Sequence, residues 1–189
     1  MNPEEAKQLF YRHVWPLRAL VLRTARYLTR DAAEAEDLAQ ETLLKAYRSI
    51  ATFDVSTQAT AWLTAILRNT RIDRARANRR ESGDVSLDAF AHGAQDRSDR
   101  TSPVDLADVA ALLDRLSDEQ IIDALRDLPD DIRWTLLLVN VEQLDHAQAA
   151  AIMGVPVGTV KSRAHRGRQM LRDKLLGTRT PQKHQSDGG

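Results

Sequence analysis

Residues 144–175, LDHAQAAAIMGVPVGTVKSRAHRGRQMLRDKL, decide the fold of the C-terminal part of the chain, because they form the pattern of a helix, a tight turn and a second helix. Gly154 suits the positive φ that often ends a helix, and Pro156 prevents the first helix from continuing. A new helix can then begin at Gly158 or Thr159. This layout predicts a helix-turn-helix, which makes DNA the first partner to consider.

The second helix of this segment combines a narrow apolar stripe with a basic remainder. At 100° per residue, the stripe contains Val160, Ala164, Gly167, Leu171 and Leu175. Six lysines or arginines and a single acid, Asp173, occupy the other positions. Such an arc favours a polyanion as partner, although a solvated cationic surface helix has the same composition.

The composition indicates a globular protein of one domain or two small ones. The 189 residues are 42% hydrophobic and 29% charged. The chain has no apolar run of membrane-spanning length, and its first residues lack the order of a signal peptide, so we expect a cytoplasmic protein without membrane insertion. It has no cysteine, and its five histidines are scattered. We therefore predict no metal or other cofactor.

The net charge is zero, but positive and negative side chains are strongly segregated along the chain. Residues 1–83 carry 14 basic and 10 acidic side chains, residues 84–131 carry 4 and 13, and residues 132–189 carry 9 and 4. Two basic ends therefore enclose an acidic middle, and a neutral total does not exclude nucleic acid as a partner.

Helical periodicity extends through almost the whole chain, which predicts an all-α protein. Residues 81–103 are rich in Gly, Ser and Asp without periodicity and are expected to form a flexible acidic linker. The helices are expected at about 3–14, 17–29, 32–50, 58–80, 107–127, 130–141, 145–153 and 158–175.

The helix over residues 32–50 has two different faces. One arc is expected to be buried and contains Ala39, Thr42, Leu43, Ala46, Tyr47 and Ile50. The opposite arc contains Asp37, Gln40, Glu41, Leu44 and Arg48. Such a face is usually only solvated, but a leucine among charged residues indicates a docking surface.

The next helix has an apolar arc and a basic one. The apolar arc contains Trp62, Leu63, Ile66, Leu67 and Thr70, with Asn69 and Asp73 at its edge. Six arginines lie between positions 68 and 80, and Arg68, Arg71 and Arg79 are expected to point away from the core. Guanidinium groups bind phosphate oxygens in a fork, so this face favours nucleic acid. Phe53, just before the helix, and Trp62 could stack on bases or belong to the core.

Four segments occur in the order and approximate spacing of a known family: AEDLAQETLLKAY, ATAWLTAILRNTRIDRARANRR, LRDLPDDIRWTLLL and AAAIMGVPVGTVKSRAHRGRQMLR. The chain resembles bacterial sigma factors of the short, two-domain extracytoplasmic-function group. The resemblance implies a region 2 domain at 1–80, an acidic linker with the start of the next helix at 81–117, a region 4 helix-turn-helix domain at 118–176 and a disordered tail at 177–189.

The resemblance also implies a transcription initiation factor, and not an enzyme, that binds core RNA polymerase and directs it to promoters. Asp37, Gln40, Glu41 and Leu44 match the surface that docks on the clamp of the largest subunit, and the flap region is a further contact. The implied minus-10 contacts are Phe53, Trp62, Arg68, Asn69, Arg71, Arg74 and Arg79. The implied minus-35 contacts are Thr159, Lys161, Ser162, Arg163 and Arg166. An anti-sigma factor is a further possible partner.

An ordinary helix-turn-helix regulator is the main alternative. It would form a homodimer, act without core polymerase and bind a palindrome with half-sites about one helical turn apart. An enzyme acting on nucleic acid has less support, because no pair of carboxylates or histidine cluster has recognisable catalytic spacing.

Overall fold

A computed structural model describes residues 1–81 and 118–177, and within these ranges every regular element is helical. The α-helices are, in chain order, α1 (Pro3–His13), α2 (Arg18–Leu28), α3 (Ala32–Arg48), α4 (Ala59–Glu81), α5 (Asp118–Arg126), α6 (Asp130–Leu136), α7 (His146–Met153) and α8 (Val157–Gly177). The all-α prediction is confirmed. The first residue of the linker predicted at 81–103, Glu81, is instead the last residue of α4. The rest of that linker, the predicted helix start at 107 and most of the predicted tail lie outside the described residues.

Local capping sequences set where several helices begin. Asn2 and Glu5 form a capping box at the start of α1, and the Asp31 side chain accepts a hydrogen bond from the Glu34 amide at the start of α3. Asp145 and Gln148 form a second capping box before α7. These side chains bind amides that have no partner within the helix, so the boundaries follow from short sequence signals.

Helices α1 to α4 form the N-terminal domain around a buried apolar core. Its fully buried side chains include Val14, Val21, Ala25, Leu38, Leu63 and Leu67. In the predicted core arc, Ala39, Thr42, Ala46 and Ile50 are buried, Leu43 is half-buried, and Tyr47 is 42% exposed. Tyr47 lies at the domain surface with its ring edge against Phe10, at a centroid distance of 5.2 Å, because α1 covers only part of this side of α3.

Helices α5 to α8 form the C-terminal domain, with Trp134, Leu136, Leu137 and Val160 in its core. The helix predicted over 130–141 is not uniform, because residues Leu137–Val141 form a π-helical turn after α6. Helix α8 passes so close to α6 that a Cβ on Gly167 would lie 2.7 Å from Ile132 Cγ2. The absence of a side chain at Gly167 therefore permits this helix contact.

The turn of the helix-turn-helix has the predicted geometry. Gly154 ends α7 with φ of 67°, and the amides of Gly154 and Val155 donate to the Ala150 carbonyl at 2.9 and 3.2 Å. Helix α8 follows directly after Pro156, whose carbonyl accepts from the Thr159 amide at 3.0 Å. Both predicted roles, for Gly154 and for Pro156, are confirmed.

The two domains pack against each other through two pairs of helices. Helix α2 contacts α5, and helix α4 contacts α7. Because α4 is the arginine-rich helix of the N-terminal domain, this packing determines what its basic face meets. Among the described residues, no helix is long and apolar enough to cross a lipid bilayer.

Candidate nucleic-acid interface

The buried face of helix α8 was predicted correctly from the spacing of its apolar residues. All five residues of the apolar stripe, from Val160 to Leu175, are buried. Lys161, Ser162 and Arg166 are exposed at the N-terminal half of the helix, and Thr159 is half-buried. The Ser162 hydroxyl donates to the Thr159 carbonyl at 3.0 Å. This half of α8 therefore presents cationic and hydroxyl groups to solvent, as insertion in a DNA groove requires.

Arg163 does not share this exposure, and its expected place on the open basic arc is wrong. Its side chain is 13% exposed, and its Nη2 lies 3.0 Å from Asp131 Oδ2 at the start of α6. Arg168, five residues further along and on another side of the helix, is half-buried, and burial lowers the pKa of its guanidinium. The Arg163 side of α8 faces the start of α6, where Asp131 is available to pair with the arginine.

Helix α4 buries its apolar arc as predicted, with Leu63, Leu67 and Thr70 inside the domain. Trp62 is half-buried, and Phe53 is only 7% exposed. Their rings are 5.1 Å apart between centroids at an angle of 48°, which is an ordinary core contact between aromatic side chains. In this conformation Phe53 is a core residue, and only Trp62 retains a surface to which a base could be added.

Three of the predicted minus-10 arginines bind protein groups. Arg71 forms an ion pair with Asp130, with Nη2 2.7 Å from Oδ1, and Arg74 Nε lies 2.5 Å from Glu41 Oε2. Arg68 Nη1 donates to the Ile152 carbonyl at 3.4 Å. Burial lowers the pKa of Arg68, with the Asp130 charge opposing this effect.

The remaining predicted contacts on α4 differ in exposure. Asn69 is exposed, and Arg79 is half-buried. The predicted direction of the basic face, away from the core of its own domain, holds for Arg68 and Arg71, but that direction leads onto the C-terminal domain.

The outer arc of α3 is accessible at most of its predicted positions. Asp37, Gln40 and Leu44 are exposed, and Leu44 retains 56% of its surface. Glu41 is half-buried between Lys45, at 3.2 Å, and Arg74. Burial raises the pKa of Glu41, but hydrogen bonds and charges from Arg74 and Lys45 outweigh it and leave the pKa below its usual value. The arc therefore carries stable negative charge beside an exposed apolar side chain.

An apolar groove beside this arc was not predicted. It has a volume of about 510 Å³ and lies between α1 and α3. Its lining residues are Lys7, Phe10, Tyr11, Trp15, Gln40, Leu43, Leu44 and Tyr47. Tyr11 and Trp15 are 53% and 40% exposed, and their rings are 5.7 Å apart between centroids. The spacing of four residues between these aromatics was the sequence signal that could have identified the groove.

Comparison with known proteins connects these surfaces to a family. The family model for Sigma-70 region 2 matches residues 16–81, and the one for Sigma-70 region 4 matches residues 118–171. The ECF RNA polymerase sigma factor SigW of Bacillus subtilis is 36% identical over 149 residues, which cover 75% of each chain. The chain belongs to the ECF RNA polymerase sigma factors.

Further relatives agree with this membership. The ECF RNA polymerase sigma factor EcfG of Rhodopseudomonas palustris is 35% identical, with 76% of this chain and 72% of that protein covered. The sigma factor RpoE of Bartonella quintana, solved in complex with the anti-sigma factor NepR, superimposes with a TM-score of 0.67 at 27% identity, over 90% of this chain and 98% of that one.

The sigma factor is thus a transcription initiation factor that acts with core RNA polymerase at promoters, and its family consists of initiation factors rather than enzymes. The alternative of a homodimeric regulator independent of polymerase is not favoured. Among the residues with described structure, no group of three or more His, Asp or Glu is placed to hold a metal ion.

Contacts between the two domains of the sigma factor could not be predicted from helical periodicity. Gln148 Nε2 donates to Gln58 Oε1 at 3.1 Å, and Arg126 Nη2 donates to the Arg26 carbonyl at 3.1 Å. The Thr24 hydroxyl donates to the buried Glu142 carboxylate. Together with the contacts of Arg68 and Arg71, they hold the basic face of α4 against the C-terminal domain.

Proposed function

We propose that this sigma factor docks on polymerase through α3, captures the minus-10 element with α4 and reads the minus-35 element with α8. The observation that carries the proposal is the pairing of two basic helices, one in the segment that matches region 2 and one in the segment that matches region 4, with an acidic and apolar arc on α3. Two tethered contacts raise the apparent affinity for one promoter without any new interaction.

We propose a separate role for each of four segments of the chain. Residues 1–80 form the region 2 domain for polymerase docking, minus-10 recognition and melting. Residues 81–117 form the acidic linker and the start of the next helix. Residues 118–176 form the region 4 domain, and residues 177–189 form the tail.

The polymerase-docking surface consists of Asp37, Gln40, Glu41 and Leu44, and its partner is the clamp of the largest subunit, with the flap region as a second contact. A basic partner helix suits the acids of the arc. The adjoining groove between α1 and α3 supports this role, because an apolar side chain of the partner could enter it while the charged groups pair at its rim.

Recognition of the minus-10 element is assigned to the exposed edge of α4. Asn69 and the accessible part of Trp62 are suited to an unstacked base, with Phe53 supporting Trp62 from the core. Arg68, Arg71, Arg74 and Arg79 are the proposed phosphate contacts, and those of them that now bind carboxylates would exchange these for phosphate oxygens.

Recognition of the minus-35 element is assigned to the N-terminal half of α8. Lys161, Ser162 and Arg166 are the proposed groove contacts, with Thr159 at the phosphate backbone near the start of the helix. Arg163 completes the set, and its ion pair with Asp131 orients it in the absence of DNA.

An anti-sigma factor is a further proposed partner, supported by the superposition on a sigma factor solved with one. A role with RNA polymerase and promoter DNA also supports a cytoplasmic site of action, without membrane insertion or a cofactor.

Run-off transcription on a genomic library, with core polymerase in the presence and absence of the protein, tests the proposed function. Transcripts that appear only with the protein are expected, and their upstream sequences define the two promoter elements. A protein that binds duplex palindromes tightly by itself, and adds no transcripts with core polymerase, would be the homodimeric regulator instead.

A further inference from the structure

The neighbouring acids Asp130 and Asp131 each bind an arginine from one of the two candidate DNA-binding helices. Asp130 pairs with Arg71 of α4 across the domain boundary, and Asp131 pairs with Arg163 of α8 within the C-terminal domain. Both acids lie at the start of α6, immediately after Pro129. Arginines from both helices therefore meet carboxylates at one point of the molecule.

The contact between Arg71 and Asp130 has the geometry in which arginine binds phosphate. Nη2 lies 2.7 Å from Oδ1, and Nη1 lies 2.9 Å from Oδ2, so that two nitrogens contact two oxygens of the same group. The two side chains are 21% and 34% exposed, so solvent screens the pair less than an open surface pair. The carboxylate occupies the place that a phosphate group would take on this guanidinium.

Neighbouring contacts keep the same face of α4 covered. Arg68 reaches the carbonyl of Ile152 on α7, and its Nε is buried without a hydrogen-bond partner among the described residues. Gln148 of α7 binds Gln58 just before α4. The α4 face that would approach DNA is thus opposed by α7 and by the first turn of α6.

We propose that Asp130 and Asp131 act as internal substitutes for phosphate in the free sigma factor. Asp130 binds Arg71 and keeps the two domains closed, and Asp131 binds Arg163 within the C-terminal domain. Arg71 binds the DNA backbone once the domains separate, and Arg163 does so once it leaves Asp131. The inference rests on the proposed DNA contacts of Arg71 and Arg163. Free protein then binds promoter duplex with an affinity equal to that of the open form multiplied by the open fraction.

Distance measurement on the full chain tests the closure. The chain has no cysteine, so spin labels can be placed at two exposed positions by Ala33→Cys and Ala151→Cys. We expect one dominant distance in the labelled protein and added longer distances after Asp130→Asn. Glu119→Gln removes the same charge from an exposed site of the same domain and is expected to leave the distances unchanged. The charge swap Asp130→Arg with Arg71→Asp is expected to restore the single dominant distance.

Duplex binding without polymerase tests the occlusion. Asp130→Asn is expected to bind promoter duplex about two- to fivefold more tightly than wild type, because a partly exposed ion pair limits opening by about that factor. Glu119→Gln is expected to match wild type. Asp131→Asn, with circular dichroism to show that its fold is kept, is also expected to bind the duplex more tightly, because it releases Arg163 within the C-terminal domain.

Three outcomes would overturn the inference. Distances and affinity of Asp130→Asn that match those of Glu119→Gln would show that the pair does not close the molecule. Longer distances with unchanged affinity would show that the released arginine does not bind DNA, and tighter binding with unchanged distances would indicate simple charge repulsion. Run-off transcription of wild type, measured in parallel, reports on the proposed function separately, since it can succeed while the variants fail to differ.

Discussion

Helix α8 presents Lys161, Ser162 and Arg166 to solvent, whereas helix α4 turns Arg68 and Arg71 toward the C-terminal domain. Both helices are basic, and both bury an apolar stripe with helical spacing. They differ in what their basic sides face. The basic side of α4 faces the C-terminal domain, whereas the exposed residues in the N-terminal half of α8 face solvent. A charge pattern therefore identifies a candidate DNA-binding helix but does not show what its cations contact in the folded protein.

The largest expected effect comes from weakening the binding of core polymerase, because α4 and α8 would then both lose the partner with which they act at promoters. Asp37→Lys combined with Leu44→Lys should weaken core polymerase binding at least about thirtyfold, because it places cations on the exposed acidic and apolar arc of α3 that we propose as the docking surface. Co-purification with core polymerase measures the loss. Glu41 is left intact, since its reversal would also break its ion pairs with Arg74 and Lys45.

Glu36→Lys is the matched control for this docking variant, because Glu36 is an exposed acid of α3 beside the arc. It should keep polymerase binding, and duplex binding by α8 should be unaffected in both proteins. Retained co-purification of the double variant would place the docking surface elsewhere.

The second prediction is that two arginines of α8 differ in their contributions to promoter recognition and to thermal stability. Arg166→Ala should lower promoter recognition at one minus-35 position by about 1–3 kcal/mol, with a smaller fall in melting temperature than Arg163→Ala, since its side chain is more exposed. Arg163→Ala should also lower the melting temperature, because it leaves Asp131 without the pair seen at 3.0 Å. Promoter competition assays and thermal unfolding measure the two quantities. Identical melting temperatures of the two variants would contradict this difference between the arginines.

Arg163 and Arg71 show how much of the structure can be predicted from the sequence alone. The stripe from Val160 to Leu175, the turn at Gly154 and the exposed arc around Leu44 follow from periodicity and turn chemistry, which act over a few residues. The partner of Arg163 depends on where α6 lies, and the partner of Arg71 depends on how two domains pack. Helical spacing contains no information about either.

The aromatic residues show the same limit in another way. Phe53 and Trp62 could have been core residues or base-stacking residues, and the choice depends on how deeply the segment before α4 packs. Tyr47 fits a buried arc by spacing but lies at the rim of a groove, because α1 leaves that side partly open.

A third prediction concerns how α8 is seated. Gly167→Ala should lower the free energy of unfolding by about 1 kcal/mol, because overpacking at 2.7 Å from Ile132 and 2.9 Å from Leu136 exceeds the gain in helix propensity. Gly158→Ala is the control in the same helix, where a Cβ meets nothing within 4 Å. It should raise the free energy of unfolding by up to about 1 kcal/mol. Urea denaturation measures both, and equal changes would contradict the close approach of α6 and α8.

The smallest expected effect is a pH dependence at the domain boundary. Burial raises the pKa of Glu142, while the Thr24 hydrogen bond and the Arg23 charge oppose the rise. A raised pKa means that the folded chain binds the proton more tightly, so this contribution to stability is present at low pH and is lost as pH rises through the raised pKa. Glu142→Gln should therefore be more stable than wild type at neutral pH, and the difference should shrink as pH falls toward the usual glutamate pKa. Urea denaturation across this range checks it, and a difference that grows on acidification would contradict it.

We propose that α4 and α8 contact two separate elements of one promoter. Footprinting of the holoenzyme on a promoter obtained by run-off transcription tests it most directly, with permanganate to detect melted bases. We expect Lys161→Ala with Arg166→Ala to lose protection only at the upstream element. Arg71→Ala with Arg79→Ala should lose melting and protection only at the downstream element. Loss of the same protected segment in both variants would contradict the account.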